Sequence, residues 1–121
     1  MQRIAVIGGT GMKQLVSEAE FGDSGYSLTM EDSLQLETEY GEVPIEVLVI
    51  SKKGAVDSRI FIIHRHHGGG KTTPPHLINY HANVRAASSC QPDVILSIQS
   101  VGAIDPNFPP GTVGMAEHTL D

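Results

Sequence analysis

Residues 60–83, IFIIHRHHGGGKTTPPHLINYHAN, dictate a strand, a loop and a helix in that order. The β-branched and aromatic run Ile60 to Ile63 favours a short buried strand. Three consecutive glycines, Gly68 to Gly70, interrupt either regular element. Pro74-Pro75 then suits a helix start, where proline's missing N–H costs nothing. Leu77, Tyr80, Val84 and Ala87 recur at helical spacing through about Ser89. The join is cationic: five of the six histidines lie between positions 64 and 81, with Arg65 and Lys71 among them. No acidic residue occurs from Ser58 to Pro92. A strand that runs through such a loop into a helix favours a bound anion, because backbone N–H groups, the helix N-terminus and the side chains all present positive charge.

The rest of the chain carries the opposite sign. Residues 1–57 hold ten acids against four bases, and the net charge over 121 residues is −6. That balance argues against a nucleic-acid-binding module, which is normally basic over one face. It fits instead a local anion site on an acidic protein. One cysteine, Cys90, cannot form an internal disulfide, so a reducing, cytoplasmic setting is expected. No apolar run approaches the roughly 18 residues needed to span a bilayer, and no membrane partner is expected.

In chain order, Ile4 to Ile7 reads as a buried strand ended by Gly8-Gly9-Thr10-Gly11, and Met12 to Glu20 as a short helix. Phe21 to Ser33 is polar and glycine-bearing and reads as loop. Leu34 to Thr38 alternates as a half-buried strand, and Tyr40 to Pro44 breaks it. Ile45 to Ser51 and Ile60 to His64 complete a meander around a turn at Lys52 to Ser58. Pro92-Asp93 ends the helix, and Val94 to Ile98 is a further buried strand. It stops at Gln99-Ser100-Val101-Gly102-Ala103, small and polar residues suited to a backbone that approaches a ligand. Val113 to Asp121 reads as the beginning of another strand. The expected class is α/β.

Three buried strands therefore end in small, glycine-rich or basic sequence: at Gly8 to Gly11, Arg65 to Lys71 and Gln99 to Ala103. In a parallel or mixed sheet such ends line up along one edge, where ligands bind. Converging amides, the hydroxyls of Thr10 and Ser100, and the cations Arg65, His66 and His67 suit phosphate. Three imidazoles at 64, 66 and 67 on a solvated face have no evident structural purpose. A metal is disfavoured, since the stretch holds no acidic or cysteine ligand and its cations would repel one. A dinucleotide-binding reading of IAVIGGTGM needs a second buried strand ending in an acid about 20 residues on, and Phe21 to Ser33 offers none.

IGGTG near the N-terminus, Thr38 with Glu39-Tyr40-Gly41, the Arg/His-His-Gly loop and PPHLINYHAN together resemble the purine nucleoside phosphorylases. The resemblance is to their methylthioadenosine and methylthioinosine phosphorylase branch. Gln99 to Ala103, Pro110-Gly111-Thr112 and Glu117 to Asp121 continue it in order to the end of the chain. It implies the N-terminal portion, 1–121, of a single phosphorylase domain about twice this long. The implied fold is a mixed, partly barrel-like sheet flanked by helices, here truncated, in a protein that forms trimers or hexamers.

The implied reaction is phosphorolysis. Inorganic phosphate attacks C1′ of a purine nucleoside and the purine leaves, with phosphate as co-substrate and no other cofactor. By position, Thr10, Arg65, His66, His67, Gln99 and Ser100 would bind phosphate. Val101 and Gly102 would lie by the ribose, and Tyr80 and Asn83 would support that wall. The family's phosphate-binding arginine falls on His66 without a gap, or on Arg65 with a one-residue loop adjustment. Lys71, His81 and Gln99 stand where the family has other residues. The group that protonates the leaving purine would lie in the absent C-terminal half, so the implied activity of this chain by itself is none. A non-catalytic phosphate- or nucleoside-binding remnant is the alternative.

Overall fold

The apolar runs pair as one mixed sheet. The computed structural model describes residues 1–9, 25–67 and 77–118. Among them the strands are β1 (Gln2–Gly8), β2 (Tyr26–Thr38), β3 (Gly41–Lys52), β4 (Ser58–His64) and β5 (Val94–Ile98), with one helix, α1 (Tyr80–Ser89). The sheet order is β2-β3-β4-β1-β5. β2, β3 and β4 form the expected antiparallel meander, whereas β1 lies parallel to both β4 and β5. The class is α/β, as the sequence indicates.

Alternation along the strands makes two apolar faces. Ala5, Ile7, Val43, Ile45, Val47, Phe61 and Ile63 face α1 and pack with Ala82, Ala86, Ala87 and Cys90. Val6, Leu48 and Ile62 form a cluster of their own, flanked by Ile4, Leu28 and Ile60. Ile63 is fully buried, and its truncation to alanine would cost about 2–5 kcal/mol.

Several expectations need correction. Tyr26 to Ser33, read as loop, is the first half of β2. β2 is an outer strand paired only with β3, so most of it is exposed and it needs no continuous apolar pattern. The register shifts between Met30 and Asp32; Glu31 lies at that shift and pairs with Arg59 at 2.8 Å. β3 begins at Gly41 and runs through Pro44, where a break was expected. Pro44 pairs with Gln35 of β2, but the β4 ladder spans only Glu46 to Ile50, so the missing N–H deprives no β4 partner. The actual break is the two-residue turn Glu39-Tyr40, closed by the Thr38 hydroxyl, which donates to Gly41 O and accepts from Tyr40 N. Gly41 has φ 137°, a conformation that favours glycine.

Helix α1 begins at Tyr80, and its buried face differs from the apolar stripe read in the sequence. Leu77, Tyr80 and Val84 are exposed, while Ala82, Asn83, Ala86 and Ala87 are buried. Small side chains let the helix axis approach the sheet, so bulk was the wrong guide. Asn79 is the N-cap, its side-chain oxygen accepting from Ala82 N. At the other end Gln91 adopts φ 53°, beyond Cys90, and Pro92 follows.

β5 forms as expected but is not buried, every residue being exposed. No strand forms from Val113 to His118. The expected Met12 to Glu20 helix, the glycine triplet and Pro74-Pro75 lie outside the described residues. No helix among the described residues is long and apolar enough to cross a membrane.

Arg3 ties the two ends of this arrangement together. Its Nη2 and Nε donate to the Cys90 carbonyl at 2.6 and 3.1 Å, completing the helix C-terminus with a cation. Its guanidinium also lies 4.7 Å from the centre of the Phe61 ring. Arg3 and Asp93 exchange further bonds, Arg3 N donating to Oδ2 and Asp93 N donating to Arg3 O, each at 2.8 Å.

Candidate functional site

Parallel pairing brings three strand ends level. Gly8 stands opposite His64 on one side and Ile98 on the other. The convergence read from the glycine-rich and basic termini is therefore present in the register. The antiparallel run of β3 also carries its first residues, and the Glu39-Tyr40 turn, towards this edge.

At its centre the chain leaves β4 in a tight turn. Arg65 N donates to Gly8 O at 2.8 Å and His67 N donates to His64 O at 3.0 Å. The Arg65 guanidinium lies against Gly9: a methyl there would collide with Nη2 and come within 3.0 Å of Cζ. Only glycine leaves that space. Arg65 takes part in none of the ion pairs found among the described residues, which join Arg59 to Glu31, His64 to Glu46, and Arg85 to Glu39. A half-buried cation over a glycine backbone, beside two strand ends, is the most anion-receptive feature among the described residues of this edge.

The imidazoles have separate tasks, contrary to the expectation that they lack a structural purpose. His64 Nε2 lies 3.1 Å from Glu46 Oε2 across the β3–β4 pair. His67 Nε2 lies 2.6 Å from Asn83 Oδ1, and Asn83 Nδ2 donates to the Arg65 carbonyl at 3.4 Å. Asn83 is only 1% exposed; burying an amide is unfavourable unless it is hydrogen-bonded, and these contacts meet that need. His66 is half-buried at the same turn.

The structure thus brings together Arg65, His66, His67 and Asn83. Gln99, Ser100, Val101 and Gly102 follow β5 onto the same edge but are exposed and make no described hydrogen bond to the turn. Thr10 lies outside the described residues. Tyr80 faces outwards and lines a groove of about 510 Å³ with Tyr40, His81, Val84, Arg85 and Ser88. There the Tyr40 and His81 rings lie 5.3 Å apart.

Sequence reasoning missed Gly9 as the seat of Arg65, Glu46 as the partner of His64, and the double use of Asn79. Its Nδ2 donates to Tyr40 O at 2.8 Å while its oxygen caps α1. An asparagine directly before a helix was a signal for the cap; nothing local signalled the contact across 39 residues. Cys90 is buried and unpaired. Burial pushes its thiol up, with Arg3 opposing, so it is a poor nucleophile.

No family model matches the chain. Individual proteins do. It is 31% identical over 121 residues to the 6-oxopurine nucleoside phosphorylase of Pyrococcus furiosus, covering 100% of this chain and 39% of that protein. It is 34% identical over 119 residues to a probable 6-oxopurine nucleoside phosphorylase of Dictyoglomus turgidum, covering 98% and 39%. A probable S-methyl-5'-thioinosine phosphorylase of Pseudomonas syringae pv. tomato is 32% identical over 102 residues, covering 84% and 36%. The chain spans about two fifths of the length of the curated relatives it matches.

Proposed function

We propose, from this kinship with the nucleoside phosphorylases, that the chain forms the phosphate-binding portion of an enzyme that cleaves purine nucleosides with inorganic phosphate. The observation that carries the reading is the Arg65 guanidinium over Gly9 where β1 and β4 end level. Residues 1–121 correspond, in this reading, to the N-terminal part of one domain whose complete sheet is partly barrel-like. Arg65, His66 and His67 hold the phosphate, with Thr10, Gln99 and Ser100 contributing from the other two strand ends. Val101 and Gly102 border the ribose, and Tyr80 and Asn83 support the wall. The substrates are phosphate and a nucleoside of the 6-oxopurine or methylthio type, with no cofactor, in a cytoplasmic trimer or hexamer.

Phosphate acts here as nucleophile at C1′. The C1′–N bond breaks ahead of full bond formation, so positive charge grows on the sugar. A phosphate dianion held in line stabilises that charge and removes the cost of bringing two reactants together. The protein's part is to hold the anion still, which a guanidinium on a rigid strand end does well. Protonation of the leaving purine, worth about 10²–10⁴ in rate, requires a group that the sequence reading assigns to further chain.

The test is a titration of the chain with inorganic phosphate, followed by NMR at the Arg65 and histidine side chains. Binding that disappears when Arg65, His66 and His67 are all replaced by alanine supports the site; binding unchanged in that variant refutes it. In the same preparation, methylthioadenosine, methylthioinosine or inosine with phosphate should release no free purine. Measurable turnover would overturn the claim that this portion alone lacks the leaving-group acid.

A further inference from the structure

We propose that β5 is a self-association edge: two copies of this chain pair their β5 strands antiparallel across a twofold axis at Leu96, joining two sheets into one. This is independent of the phosphate reading. Among the described residues the sheet has two outer strands, β2 and β5, and they are not alike. β2 carries Glu31, Asp32 and Glu37 with no base, and its register shifts between Met30 and Asp32. Acids and an irregular register on an outer strand discourage the addition of another strand. A second β2 would bring only further acids. β5 has neither device, and no charged residue or proline occurs from Val94 to Ile104. Among the described residues it pairs with β1 alone, so its other side offers backbone groups to a new strand.

The side chains decide what can occupy that side. Val94, Ile95, Leu96 and Ile98 are each between 39% and 48% exposed, which leaves apolar surface on both faces of the strand. By register Val94, Leu96 and Ile98 stand beside Ile4, Val6 and Gly8, on the face of the Val6, Leu48 and Ile62 cluster. Ile95 stands beside Ala5, on the face of α1. The second cluster thus runs out to an open edge. An antiparallel copy centred on Leu96 sets Val94 against Ile98, Ile95 against Ser97, and Leu96 against its own equivalent. Side chains alternate, so on the face of the second cluster apolar meets apolar in every pair. One step outwards, Asp93 of either copy faces Gln99 of the other, and no like charges are opposed. A twofold contact requires this self-complementarity. So short a ladder buries little area, which places the dimer among weak, concentration-dependent associations.

The test is sedimentation velocity on the 121-residue chain over a concentration series, with Leu96→Lys and Leu96→Glu beside the native protein. The native chain should pass from monomer to dimer and stop there. Either substitution sets like charges against each other at the axis and should weaken dimerisation at least about tenfold. An equimolar mixture of the two variants should recover it as a mixed dimer. Leu96 is already exposed, so both variants should keep the native circular dichroism. If they do not fold, native chain mixed from isotope-labelled and unlabelled protein decides, through NMR contacts between Val94 of one copy and Ile98 of the other. A native chain that stays monomeric throughout overturns the proposal, and the edge then takes a partner of another kind. Growth beyond the dimer overturns it too, since a twofold contact closes. So does a dimer untouched by either charge, which would place the contact on another face such as the exposed side of α1. Weakened variants that do not recover on mixing overturn the antiparallel pairing at Leu96.

Discussion

A single hydrogen atom at Gly9 decides where Arg65 can lie. The obstructing atoms are the tip of a flexible side chain, so Gly9→Ala should be cheap in stability, below about 1 kcal/mol, while the guanidinium is driven off the β1 end. Phosphate affinity in the Gly9→Ala chain is expected to fall at least tenfold with little change in thermal midpoint; an unaltered affinity would show that Arg65 does not need this seat. The sequence displayed Gly9 as one member of a glycine string and could not single it out, because its partner lies 56 positions away. His64, Arg65, His66 and His67 were visible as a basic cluster. Their separate partners, Glu46 and Asn83, were not, since the acid-free stretch hides a carboxylate supplied by the neighbouring strand.

Asn79 latches the start of helix α1 to the β2–β3 turn, alongside the Arg85–Glu39 ion pair and the Tyr40–His81 ring contact. Asn79 caps the helix through its oxygen and holds Tyr40 O through its nitrogen. Replacing it with alanine should destabilise the chain by about 1–2 kcal/mol, the sum of a lost cap and a lost exposed hydrogen bond. Asn79→Asp keeps the cap and loses only the donor, so its urea midpoint should fall between the other two. Equal midpoints for native and Asn79→Ala would exclude the latch. The strands β1, β4 and β5 were legible from β-branched runs that stop abruptly. The outer strand β2 was not, because its exposed face satisfies no core and its residues read as polar loop. The buried side of α1 was misjudged for a related reason: alanines against a sheet give close approach without the bulk that marks an apolar stripe.

Across the whole molecule, Arg3 and Cys90 O bind the start of β1 to the end of α1, 87 positions apart. Arg3→Ala removes two charge-assisted bonds, the contact over Phe61 and the cation at the helix end. A loss of about 1.5–3 kcal/mol is expected, read as a lower urea midpoint by circular dichroism. A change under about 0.5 kcal/mol would mean that the backbone exchange with Asp93 suffices to hold the junction. The parallel edge was legible at this scale too, since three runs ending in small or basic residues pointed to it, and register then aligned Gly8, His64 and Ile98. The distribution of burial was not: β5 was expected inside and lies exposed on both faces.

The place of β1 between β4 and β5 has a consequence for how the chain comes off the ribosome. The strand made first is flanked by the two made last among those described, and neither neighbour exists until more than fifty residues have followed it. β1 therefore emerges as an apolar segment with no one to pair with, while β2 and β3 can close locally around a two-residue turn. At translation speeds of about 5–20 residues per second, that wait lasts seconds. The anion edge cannot exist until it is over, because Gly8 and Gly9 are half of it. In the nascent chain the site waits for the ends of β4 and β5, although the strand between them is synthesised before both.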